Sequence, residues 1–200
     1  MLRSLDLRRL VTVGLAGAAL TVALGCEKES EVKQPETDPT TKVFDDFAKR
    51  VDAYLKLRKS IVDSVGDLDP TKSQSEIATR STALAQGVIA ARSQAKPGDI
   101  FTAEFATIVA TLVKEEYRRR SISVQETRGD QQDELPDFQP TVNQMYPTTY
   151  PLATFPATLL PLLPSLPEQL EYRVVQHYLV LRDVEANVIL DFMPNAVPMT

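Results

Sequence analysis

The chain has 200 residues, a formal charge of −5, a single cysteine, a single histidine and seven glycines. That length can bury one core of ordinary size, and the acidic balance excludes a surface built to neutralise nucleic-acid phosphates. One cysteine and one histidine leave no zinc-type spacing, and so few glycines leave no phosphate-cradling loop, so no cofactor or metal is expected.

The first segment is built for export. Arg3, Arg8 and Arg9 precede an uncharged run from Leu10 to Gly25, the layout of a basic n-region followed by an apolar h-region. A hydrocarbon core takes roughly 20 apolar residues to cross, so this run is short for a permanent span. It ends Val22-Ala23-Leu24-Gly25-Cys26, which resembles a bacterial lipobox with Cys26 as the acylated residue. An ordinary signal peptide cut nearby, or an uncleaved anchor, are the alternatives. Residues 1–25 are therefore read as a signal peptide, and Cys26 as the lipidation site. Their removal takes away three arginines and one aspartate, leaving 19 basic and 26 acidic residues, a charge of −7. Residues 27–42 have valine as their one sizeable apolar residue, too little to offset ordering entropy, which predicts a disordered tether over 26–42.

One folded domain is expected over 43–193. Phe44, Phe47, Val51, Tyr54, Ile61 and Val65 step by threes and fours, with Arg58 filling one slot, and predict a helix over about 43–65. Asp38-Pro39 offers a cap and a first-turn proline upstream of it. Ser73 and Glu76 form a capping box for a second helix, 73–95, whose face is Ile77, Ser81, Leu84, Val88, Ala91 and Ala95. Thr102 caps a third, 102–120, with Phe105, Ile108, Val109, Leu112, Val113 and Tyr117 on its stripe. The arginines at 118–120 suit the negative end of that helix.

Residues 136–167 hold eight of the 14 prolines, which excludes long helices and central strands. The spacing predicts an acidic loop over 121–139 and an extended strap over 140–167, with one short helix near 156–163. Asp130, Asp133, Glu134 and Asp137 lack the alternation and central glycine of a calcium loop.

Residues 171–193 read as a three-stranded antiparallel meander. With Gln176-His177 as a two-residue turn, Val175 faces Tyr178, Val174 faces Leu179, Tyr172 faces Leu181 and Glu171 faces Arg182. With 183–186 as the second turn, Leu181 faces Val188 and Leu179 faces Leu190. One sheet face then holds Tyr172, Val174, Leu179, Leu181, Val188, Leu190 and Phe192. The other holds Arg173, Val175, Tyr178, Val180, Ile189 and Asp191, where Arg173, Tyr178 and Asp191 are expected to form a structural polar cluster. Residues 194–200 are a tail. The fold class is α+β: three amphipathic helices, a proline-rich strap and a C-terminal three-stranded meander.

Three pieces of the chain carry a resemblance: Gly98-Asp99-Ile100-Phe101-Thr102, then Leu166-Pro167-Glu168-Gln169-Leu170-Glu171-Tyr172-Arg173, then Leu181-Arg182-Asp183 through Ala186-Asn187 to Asp191-Phe192. In order and spacing they resemble a family of uncharacterised bacterial exported proteins. Ala103 stands where that family commonly has proline, and Gln176 where it commonly has glycine. The resemblance implies a folded module and no particular chemistry.

No Ser–His–Asp or Cys–His set can be assembled, and His177 falls at a turn tip. The expected protein is a non-catalytic envelope lipoprotein that binds an envelope protein partner or supports a complex, held to the membrane by its lipid and without nucleic-acid partners. A small carboxylate-dependent periplasmic hydrolase is the alternative. The meander leaves strand edges at 171–175 and 187–193, and the strap is expected to cover one of them.

Overall fold

The computed structural model describes residues 38–66, 73–121, 138–147, 150 and 155–196. Cys26, the segment before it, most of the tether and nearly all of the acidic loop lie outside the described residues. Residues Thr37–Thr200 form one compact unit.

The architecture is α+β: helices α1 (Pro39–Val65), α2 (Gln74–Ala91) and α3 (Ala103–Arg120), then strands β1 (Leu170–Val175), β2 (Tyr178–Asp183) and β3 (Val188–Met193). The helix α1 begins at Pro39, four residues earlier than its apolar stripe suggests. The Asp38 carboxylate accepts the Thr41 N–H, and Pro39 sits where a missing N–H costs nothing. The last residues assigned to the tether are thus helical. Ser73 and Thr102 cap α2 and α3 through the Glu76 and Phe105 N–H groups.

The helix α2 stops at Ala91, short of the expected 95. Arg92 leaves helical geometry, its carbonyl accepting the Ala95 N–H and the Asn143 Nδ2, while its guanidinium turns inward. Ile77, expected on the buried face of α2, is 48% exposed; burial is confined to Leu84, Ala85 and Val88. Close approach to α1 falls at Gly87, where a Cβ would lie 2.4 Å from Ile61 Cγ2.

The aromatic centre of the core joins α1 to α3 and β1. Phe47 stacks on Phe105 at 4.6 Å, Phe101 on Phe105 at 5.0 Å, and Phe47 lies 6.4 Å from Tyr172. The helix-facing side of the sheet adds Val174, Leu179, Leu181, Val188, Leu190 and Met193 to the same core. On the opposite side Val175, Val180 and Ile189 form a second, smaller cluster under Phe138, at the end of the acidic loop, and Tyr146 of the strap. Each sheet face therefore has an apolar cover.

The β1–β2 pairing has the expected register throughout, from Val175↔Tyr178 to Glu171↔Arg182. The β2–β3 pairing does not. Asp183 pairs with Val188 and Arg182 with Ile189; the register then shifts, and Leu181 pairs with Asp191, Val180 with Phe192 and Leu179 with Met193. The second turn is therefore 184–187, and Leu190 is an extra residue with no partner on β2. Such a bulge changes which way later side chains point. Phe192 moves to the outer face, where it packs edge-on against Tyr178, and Asp191 moves to the helix side.

Candidate functional site

Among the described residues three polar arrangements, a hollow and a groove lie around the sheet. The first polar arrangement fastens the β2–β3 turn to α1 and α2. Asp183, fully buried, accepts from the Tyr54 hydroxyl at 2.6 Å, Arg58 Nε at 2.7 Å and the Ala186 N–H at 2.8 Å. Arg58 also donates to Glu185 at 2.7 Å, and Arg80 donates to the other Glu185 oxygen at 2.8 Å. The Arg58 slot in the apolar stripe of α1 is thereby explained: its stem packs in the core while its head meets two carboxylates. Burial pushes the Tyr54 hydroxyl far above its ordinary value, helped by the Asp183 charge. Burial also acts to raise the Glu185 carboxyl, but the hydrogen bonds from Arg80 and Arg58 outweigh it and hold the group below the usual range.

The second arrangement encloses Asp191. Its oxygens accept the N–H groups of Gly98 at 3.0 Å, Ile100 at 2.7 Å, Phe101 at 2.8 Å and Phe192 at 2.8 Å. Gly98 has φ +91°, a conformation costly for a side-chain-bearing residue, which curls the loop around the carboxylate. That loop leads directly into α3, so the anion also lies near a positive helix end. Burial nevertheless raises the Asp191 carboxyl above its ordinary value, against the pull of these donors.

The expected grouping of Arg173, Tyr178 and Asp191 is therefore corrected. The bulge places Asp191 on the helix side, opposite Leu181, whereas Arg173 lies on the outer face opposite Val180, bonded to Glu171. The Tyr178 ring lies tilted against that of His177, 4.1 Å between centroids, and meets Phe192. His177 sits at the predicted turn, and its carbonyl accepts the Ala196 N–H.

Glu171 is bonded by both Arg173 and Arg182. Arg182 also donates to Asn187 Oδ1 at 2.7 Å, and its guanidinium lies 5.5 Å over the Tyr146 ring. Three pieces of the chain meet in space: Gly98, Ile100 and Phe101 hold Asp191, Glu171 holds Arg182, and Asp183 organises the turn that ends in Asn187. These bonds tie the loop before α3, the start of β1 and the β2–β3 turn to the sheet.

Among the described residues no group of three or more His, Cys, Asp or Glu is arranged to hold a metal, and no helix is long and apolar enough to cross a membrane. A hollow of about 420 Å3 near the end of α2 contains Arg50, Arg92 and Asp99. Its cations are already engaged: Arg50 with Asp46 and the Asp99 carbonyl, Arg92 with the Leu190 carbonyl, Asn143 Oδ1 and the Tyr54 ring.

The sequence did not single out the groove. It has a volume of about 600 Å3 and runs between β1 and residues 155–166, with Phe155, Leu160, Leu163 and Leu166 on one wall and Leu170 and Tyr172 on the other. Leu160, in a single 3-10 turn (Leu160–Leu162), is 47% exposed at its rim. Its signal in the sequence is the leucine content of a segment too rich in proline to fold as a helix. No protein family, curated protein or solved structure matches this chain.

Proposed function

We propose that the protein is a non-catalytic interaction module of the cell envelope, anchored through acylated Cys26, with the groove beside β1 as its contact surface for a partner protein. The observation that carries this reading is the asymmetry of the sheet: the chain covers one edge with its own strap and leaves an apolar groove along the other. An apolar cleft beside a strand edge is a common form of protein recognition surface. A short tether supports the reading by raising the effective concentration of a neighbour in the same envelope. Against the hydrolase alternative, both fully buried carboxylates, Asp183 and Asp191, have their oxygens occupied by hydrogen bonds that hold elements together.

The test is site-specific photocrosslinking of the full chain in its own envelope, with the reactive side chain at position 160 or, as a control, at the exposed position 104 on α3. A discrete adduct from position 160 alone is expected. Adducts absent from both sites, together with a turnover lost in Asp191→Asn while the fold is retained, would favour the hydrolase. The anchor has its own test. A fatty-acid label should mark the wild type and not Cys26→Ser, and an unlabelled wild type in cells that lipidate other proteins removes the lipid anchor.

A further inference from the structure

The backbone of β1 says what kind of partner the groove suits. Among the described residues the only sheet neighbour of β1 is β2. Val175 and Tyr178 close a two-residue loop as a hydrogen-bonded pair, so Val175, Arg173 and Glu171 direct their N–H and C=O at β2. Val174, Tyr172 and Leu170 direct theirs away from the sheet, and Val174 is already engaged. The Leu170 N–H is taken by the Pro167 carbonyl. The Tyr172 N–H and C=O and the Leu170 C=O have no hydrogen-bond partner among the described residues, and both residues line the groove.

Resting on the interaction reading above, we infer that the groove receives an extended, uncharged, apolar peptide segment of the partner, added to β1 as a further strand. The outward groups of Tyr172 and Leu170 require a guest with donors and acceptors of its own, which a peptide has and an acyl chain lacks. The two charged residues in the lining, Glu171 and Arg173, are bonded to each other, so a charged guest would lose water without gaining a counter-ion. The volume suits a few apolar side chains from one face of a strand, within the roughly 300–1,000 Å3 of ordinary binding clefts. The same chain already satisfies its other sheet edge in this way: residues 143–146 lie along β3 through the bonds Asn143 N–H to Ile189 O, Ile189 N–H to Gln144 O and Tyr146 N–H to Asn187 O.

The experiment selects a displayed library of seven-residue peptides on the full-length chain in lipid nanodiscs, after depletion on empty nanodiscs. Enriched peptides should be uncharged, with apolar residues at alternate positions. Binding should fall at least tenfold in Leu160→Glu, checked for folding by circular dichroism, and should slow hydrogen exchange of the Tyr172 amide at least tenfold. N-methylation of the central peptide amides should abolish it. No enrichment, enrichment of charged sequences, or binding that leaves Tyr172 exchange unchanged overturns strand addition. Saturable binding of free palmitate that depends on Leu160 would make an acyl chain the occupant, and a 160-to-160 crosslink between two copies would make it a second copy. A heterologous adduct from position 160 without peptide enrichment would leave the interaction module standing and remove the strand mode; absence of both removes both.

Discussion

The two edges of the sheet are treated in opposite ways. Along β3 the chain adds residues 143–146, sends Arg92 to the Leu190 carbonyl, and folds the loop at 98–101 around Asp191. Along β1 it places prolines and leucines across a groove and leaves the Tyr172 backbone pointing outward. An open edge is a liability that proteins usually blunt with charge, bulge or cover. Here the bulge and the cover are at β3, so the open side is not explained by a general tolerance of bare edges in this fold.

Substitutions can sharpen that contrast, beginning with the centre of the sheet. Leu181→Asp places an unpaired charge where burial of the leucine contributes roughly 1.5–3 kcal/mol, against a total stability of roughly 5–15 kcal/mol. Loss of the cooperative thermal transition is expected; a transition close to wild type would mean that β2 is not central. Asp183→Ala strips three donors of their acceptor and leaves Arg58 buried with Glu185 alone. A cost of about 3–5 kcal/mol should appear as a lower urea midpoint.

At the closed edge, Asp191→Ala removes the acceptor of the N–H groups at 98, 100 and 101, with an expected loss of about 3 kcal/mol. Unchanged urea unfolding would show that the loop does not depend on this carboxylate. At the open edge, Leu160→Glu and His177→Ala should stay within about 0.5 kcal/mol of wild type, because neither side chain is part of the core. If Leu160→Glu unfolds the protein as Asp191→Ala does, the two edges are not different in kind.

Acid should weaken the outer face. Burial acts to raise the Glu171 carboxyl, but the hydrogen bonds and charges of Arg173 and Arg182 prevail and hold it below its ordinary value. Its contribution is therefore present above the unfolded glutamate value, about 4.3, and is lost as pH falls through the lower folded value. The decline of the thermal midpoint below about pH 4 should be shallower in Glu171→Gln. Identical slopes would remove Glu171 from the account. The smallest effect is expected at the first turn. Gln176 has φ +53°, where a side chain is disfavoured, and Gln176→Gly should raise stability by about 0.5 kcal/mol.

Much of this architecture was legible from periodicity. The stripe of α1 named Phe47, Val51, Tyr54, Arg58 and Ile61, all of which are buried, and alternation in 171–182 gave the β1–β2 register pair by pair. The end of α2 was less legible, because Arg92 departs from the helix to meet Asn143 and Leu190, far along the chain. The candidate groove left no more than the leucines of a proline-rich segment as its signal. Its walls come from an irregular segment and a strand edge, and no local period connects them.

The sequence by itself determined which segments are helical, where their caps stand, and how the first hairpin pairs, since each depends on neighbours within a few residues. The tertiary structure decided the bulge at Leu190, the side on which Asp191 and Phe192 lie, and which sheet edge the strap covers. A period of two specifies only alternation, and one inserted residue reverses it without altering the composition of the strand. What favours the inserted residue is a set of N–H groups some 90 positions earlier in the chain, which only the folded protein brings to Asp191.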